Sequence, residues 1–270
     1  MSRPWRSEIR IAVSPDRVAA LKVCGLVHRR VQAEALWKPA YSDGAPAWRA
    51  AVDTLKQNIS RLGTASRAGV IISNRLTHYA LLNPPENLSQ REHGRYVEHK
   101  LQAIFGDLSA QWTVRIAGPS KNGALLVAGI DTALLDAIKE ALGPALARTA
   151  HIEPHFSAAF NRLRKHLTAP SGWFVMQEEK HALIGRLSGG AWQSLRGRHL
   201  SANSPDALIP AIDREHALHN LAEPVRKVYL LPPRHDVPLP VIEPYDVQLL
   251  QDPLPDGFPL TSDHGDEMAA

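Results

Sequence analysis

The chain has one cysteine, Cys24, in 270 residues. No disulfide can form within it, and no site built from several thiolates is possible. The apolar neighbours Val23 and Leu26 mark Cys24 as a buried structural thiol. No apolar run reaches the roughly 18 residues needed to span a bilayer, and Met1 to Arg10 lacks the apolar stretch of a secretion signal. The expectation is a soluble, cytoplasmic protein. Also missing are Gly-x-Ser-x-Gly, Gly-x-x-x-x-Gly-Lys and His-Glu-x-x-His, so neither a nucleophile elbow, a P-loop nor a zinc protease is indicated.

Basic residues are absent from one end. From His235 to Ala270 there is no Lys or Arg, while eight acids fall there, Asp236 and Glu243 among them. The first 234 residues carry all 31 basic groups and 19 acidic ones, a formal net of +12. Such a body is drawn to acidic surfaces, whether anionic lipid, nucleic acid or acidic protein. Residues 251–270 hold five acids, three prolines and no base, and read as a flexible acidic tail.

What is present is a pattern of strands and helices. Ile9 to Val13 and Val18 to Val23 flank Ser14-Pro15-Asp16-Arg17 and form a β-hairpin; Val31 to Trp37 is a third strand. Trp48 to Leu62 places Ala51, Leu55, Ile59 and Leu62 on one helical face. Ala68 to Asn74 is continuously apolar until Ser73, as in a strand buried on both faces, and Leu76 to Asn83 alternates until Pro84-Pro85 stops it. Ser89 and Glu92 make a capping box for a helix ending near Gly106. Two strands follow, in Gln111 to Gly118 and Gly123 to Ile130. Asp131 then caps a helix that Gly143-Pro144 ends. His151 to Pro154 is a short strand leading into a helix from His155 to Leu167.

The second half repeats the order. Trp173 to Glu179, His181 to Leu187 and Ala191 to Arg198 are a three-strand meander with turns at Glu178-Glu179-Lys180 and Ser188-Gly189-Gly190. Ser204-Pro205 opens a helix to about Leu218. Arg226 to Leu231 is another strand, and Tyr245 to Leu250 a last one. Three strands, a helix and a strand thus occur once in each half, an α/β architecture of two mixed sheets.

That plan, with Ser73 ending a buried strand, Pro84-Pro85 and Glu92 opening an insertion, and Ile152-Glu153-Pro154 turning into a helix, resembles the type IV pilus assembly protein PilM and the cytoplasmic domain of the type II secretion protein GspL. The resemblance covers about residues 8 to 200. It implies two actin-like, ribonuclease H-like domains: a first over 1–152 with an inserted subdomain at about 74–117, and a shortened second over 153–250. It also implies a cytoplasmic scaffold at the inner membrane, binding a short N-terminal peptide of a pilus or secretion platform protein in a groove beside the insertion, with Arg75, Tyr79 and Tyr96 as candidate lining.

Nucleotide binding in that superfamily uses glycines at three turns, where backbone must approach the ligand closely. Here the first turn is Ser14-Pro15-Asp16 and the second follows Met176-Gln177-Glu178, whose carboxylate is expected to repel a phosphate. The third is Tyr229-Leu230-Leu231-Pro232-Pro233. Pro15 also removes an amide donor. The expectation is no cofactor, no small-molecule substrate and no enzymatic activity. Two alternatives stay open: a divergent member that keeps ATP as a structural cofactor or slow substrate, and a basic module for nucleic acid. The chain lacks the basic residues interleaved with exposed aromatics that the second would need, so no nucleic-acid partner is expected.

Histidines form no convincing metal set. His151, Glu153 and His155 lack a fourth ligand. Arg162, Arg164, Lys165 and His166 end a helix, where cations suit its dipole or could meet anionic headgroups.

Overall fold

The computed structural model describes residues 7–25, 30–40, 44–85, 88–117, 123–204, 207–219, 225–232 and 243–251. Pro205, Pro233 and residues 252–270 of the expected tail lie outside them. Among the described residues no helix is long and apolar enough to cross a membrane.

The first unit opens with the expected hairpin, β1 (Ser7–Ser14) and β2 (Arg17–Cys24), followed by β3 (Arg30–Trp37). Cys24 is buried. Helix α1 (Arg49–Asn58) continues as a 3-10 turn over Ile59–Leu62. Strand β4 (Arg67–Ile72) runs parallel to β1, and β8 (His151–Pro154) runs parallel to β4, giving the order β3-β2-β1-β4-β8. Side chains alternate across a strand, so Ile9, Ile11, Val13, Val70 and Ile72 share one core with Leu55 of α1 and with Leu134 and Ile138 of helix α3 (Thr132–Ala147).

The other face corrects one expectation. Strand β4 is not buried on both sides, for Gly69 and Ile71 are only half-buried. Both α1 and α3 pack on the opposite face, and the side carrying Gly69 borders a shallow groove with Glu8, Arg10 and Arg67 along it.

Between β4 and β8 lies a smaller sheet. Strand β5 (His78–Leu82), helix α2 (Gln90–Phe105), β6 (Trp112–Ala117) and β7 (Leu125–Asp131) give the order β5-β7-β6. This sheet takes in residues well past the 74–117 expected of the insertion. The Ser89–Glu92 capping box is present, and α2 ends at Gly106 with φ +69. Ala80, Leu82 and Val127 pack on Val97 and Leu101 of α2, while Tyr79, Leu81 and Leu126 face the second unit's core. The small sheet is therefore two-sided, and β5 packs against β11 of the second unit.

Helix α3 (Thr132–Ala147) is N-capped by Asp131, whose carboxylate accepts from Ala133 N, and it breaks at Gly143, φ +72, before Pro144. Helix α4 (His155–Leu163) leads into β9 (Ser171–Glu178), β10 (His181–Ser188) and β11 (Ala191–His199). Helix α5 (Leu208–His219), β12 (Lys227–Leu231) and β13 (Asp246–Leu249) complete the order β11-β10-β9-β12-β13, the same plan as the first sheet. Alternation again makes two cores. Phe174, Met176 and Tyr229 meet Phe156 and Leu163 of α4; Trp173, Val175 and Ile184 meet Leu208 and Ile212 of α5.

Candidate functional site

The first unit, the small sheet and the second unit meet where the carboxyl end of β4, the start of α4 and the end of β9 converge. At the end of β4 the apolar run gives way to Ser73 and Asn74, both buried. Ser73 caps a 3-10 turn over Asn74–Leu76, accepting from Arg75 N, so the chain reverses into β5 with its polar groups held inward. Asn74 Oδ1 accepts from Tyr79 Oη at 2.8 Å and Phe156 N at 3.0 Å, tying the insertion to α4. Tyr79 packs edge-on to Phe156, ring centroids 5.4 Å apart.

The centre of this junction is Glu178, 2 % exposed. Its carboxylate accepts from Ser73 Oγ, from Asn74 N at 3.0 Å and from His155 Nδ1 at 2.8 Å. Burial is the largest single influence on its pKa and pushes it up; His155, Ser73 and Asn74 together outweigh that and hold it below the usual carboxylate value. Tyr79 is pushed well above an ordinary phenol, by burial first and by the Glu178 charge second. One carboxylate of the second unit thus joins the Ser73-Asn74 segment, more than a hundred residues upstream, to the helix that links the units.

The sequence reading placed Glu178 in a turn, where its charge would repel a phosphate; it is the last residue of β9 and is buried, and the turn is Glu179-Lys180. Its neighbour Met176 is a core residue, 1 % exposed. Glu179 instead accepts from Asn203 Nδ2 at 2.7 Å. Lys180 adopts φ +47, the only positive φ at a non-glycine position among the described residues. The second turn therefore reaches a glycine-like backbone without glycine, at a conformational cost of order 1 kcal/mol.

At the first turn, Ser14 Oγ lies 2.8 Å from Asp16 Oδ1 and 3.0 Å from Arg17 O, closing the hairpin around Pro15. Asp16 is paired with Arg75, Nη1 to Oδ1 at 3.0 Å. Neither turn leaves a carboxylate unengaged to hold a hydrated cation: Asp16 faces a guanidinium, Glu179 accepts from Asn203, and Glu178, at the strand end before the second turn, is buried among donors. At the third position Tyr229 is buried and its hydroxyl accepts from Ala169 N at 2.7 Å; Pro232 follows β12, and Pro233 lies outside the described residues.

The three candidate partner residues do not form one surface. Arg75 and Tyr79 border a cleft of about 510 Å³ between the Asn74–Tyr79 corner and the second unit. Tyr96 lies on α2, donates to Asn83 O at 2.7 Å and carries Lys100 over its ring. His151 faces Glu153 at 3.5 Å and His155 faces Glu178, so those histidines turn apart; among the described residues no three His, Cys, Asp or Glu side chains converge on a metal position. Pattern reading gave Asn74, Lys180, His181 and His199 no role at this junction, and weighed His155 only as a metal ligand. The only signal for them was polar residues at the ends of apolar strands.

No protein-family model matches the chain, and no curated protein matches its sequence. Solved structures do. A Bacteroides thetaiotaomicron protein with actin-like ATPase fold and unknown function aligns with TM-score 0.56 and 11% identity, over 84% of this chain and 82% of that one. The cytoplasmic domain of EpsL, an inner-membrane component of the type II secretion system of Vibrio cholerae, aligns with TM-score 0.56 and 11% identity, over 91% and 86%. A chain of the PilM-PilN type IV pilus biogenesis complex aligns with TM-score 0.57 and 15% identity, over 83% and 81%. Two sheets of the same strand order, joined at α4 and carrying a small inserted sheet, are in this chain an actin-like fold similar to those of PilM-PilN and EpsL.

Proposed function

We propose that the protein is a non-enzymatic actin-like scaffold of a type IV pilus or type II secretion platform, cytoplasmic and held at the inner membrane by a short segment of a membrane partner. The observation that carries the non-enzymatic part is Glu178. In an actin-like cleft the two hairpin turns would have to offer amides and a solvated carboxylate to a magnesium nucleotide. Here the second unit's carboxylate is buried against Ser73, Asn74 and His155, and the first unit's is paired with Arg75. The assembly part rests on likeness of fold to PilM-PilN and EpsL. We assign the first domain to residues 1–152, the second to 153–250, and a tail to 251–270. The +12 body is suited to an anionic membrane surface, and nucleic acid is not a partner in this reading.

Titration calorimetry with magnesium-ATP and co-purification with tagged inner-membrane platform proteins test the two parts. No heat at sub-millimolar nucleotide and recovery of one platform protein are expected. A dissociation constant below about 100 μM, some −5.5 kcal/mol of binding free energy, overturns the first part, and failure to recover any platform protein overturns the second. A second reading, ATP kept as a structural cofactor, is favoured by one feature: the glycine-like backbone at Lys180. The same calorimetry decides it.

A further inference from the structure

We propose that the cleft between the Asn74–Tyr79 corner and the β10–β11 edge is an oxyanion-binding site, taking a carboxylate or phosphate that carries an apolar group beside it. This does not depend on the assembly role. The cleft is lined by Asn74, Arg75, Lys180, His181 and His199, with Phe105 and Leu183 among its apolar walls. The turn residues Pro15 and Asp16 border a different hollow, on the other side of Arg75.

Two buried polar atoms on this cleft have no hydrogen-bond partner: Asn74 Nδ2 and His181 Nδ1. Asn74 is 3 % exposed. Both of the hydrogen bonds to its Oδ1 come from donors, Tyr79 Oη and Phe156 N, so the amide orientation is fixed and Nδ2 is a donor left over. Buried donors are nearly always paired, and an acceptor arriving from outside restores the rule. Of the nearby acids, Glu178 is engaged by its three donors, and Glu179, which itself lines the cleft, accepts from Asn203. Lys180 has no acidic partner within ion-pair distance among the described residues, and it holds φ +47 where glycine would be easier. Lys180 lines the cleft in that conformation and brings a cation to it. His199 is the strand partner of His181. The His181 ring lies over Gly197, where an added Cβ would come 2.9 Å from Nε2. A lining that mixes donors and cations with apolar walls suits an anion with an apolar neighbour.

The full chain is titrated by NMR with succinate, inorganic phosphate and the capped peptide acetyl-Leu-Asp-Glu-Phe-amide, following the Asn74 side-chain amide and the His181 ring. Saturable shifts at both are expected. Lys180→Gly relieves the positive φ and should fold at least as well, yet weaken every anion about tenfold; Gly197→Ala, which displaces the His181 ring, should weaken them too. Tighter binding of the peptide than of succinate makes an acidic segment the natural source, and equal binding makes it a free oxyanion. The proposal falls if no probe saturates, or if saturable binding is unchanged in both Lys180→Gly and His181→Gln.

Discussion

The carboxylate of Glu178 and the imidazole of His155, 2.8 Å apart, join the last residue of one central strand to the first residue of the helix that connects the two units. The same carboxylate takes Ser73 Oγ and Asn74 N, so removing it orphans two buried donors and the half-buried His155 at once. Glu178→Ala should lower the unfolding free energy by about 3 kcal/mol, whereas Ser73→Ala, which removes one donor and leaves the carboxylate two others, should cost about 1 kcal/mol. Urea denaturation at neutral pH measures both, and equal losses would show that the carboxylate is not the centre of the junction.

The same group sets an acid limb. Its folded pKa is held below the ordinary glutamate value of 4.5, so the folded state binds its proton less readily than the unfolded chain does. The stabilisation is complete above the unfolded pKa and is lost as pH falls through the folded one. The urea midpoint should therefore drop below about pH 4.5, more steeply in the natural protein than in Glu178→Gln, which has no proton to take up there.

A second buried carboxylate makes a contrast within one cluster. Glu215 of α5 is fully buried and accepts from Arg198 Nε at 2.7 Å, while Arg196 stands 3.6 Å away and half its side chain is exposed. Arg198→Ala should cost about 3 kcal/mol or more, because it strands a buried charge; Arg196→Ala should cost under about 1 kcal/mol, as solvent already screens it. Thermal or urea unfolding of the two variants tests the difference.

Two glycines should respond in opposite directions to alanine. At Gly185 on β10 a Cβ would sit 2.4 Å from Trp192 Cζ3, so Gly185→Ala must push an indole out of the second unit's core, at a cost of about 1–3 kcal/mol. Gly94, inside α2, has open space at the same position, and Gly94→Ala should stabilise by about 0.5–1 kcal/mol through helix propensity. A loss at Gly94 would show that α2 is covered there by something beyond the described contacts.

The sequence by itself determined the elements, because their signals are local. The Pro15-Asp16 hairpin, the Ser89–Glu92 capping box and the Asp131 cap each depend on residues a few positions apart, and the repeated strand order followed from such local signals. Only tertiary structure decided the site. Glu178 meets Ser73 and Asn74 across more than a hundred residues, and whether an acid at the end of a strand faces solvent or a neighbouring unit depends on what is packed against it. The sequence reading set it in a turn, repelling a phosphate; folding put three donors around it, and they outweigh the cost of burying its charge. Arg75, Tyr79 and Tyr96 show the same limit: proximity along the chain did not place them on one surface, since the small sheet turns one face to α2 and the other to the second unit.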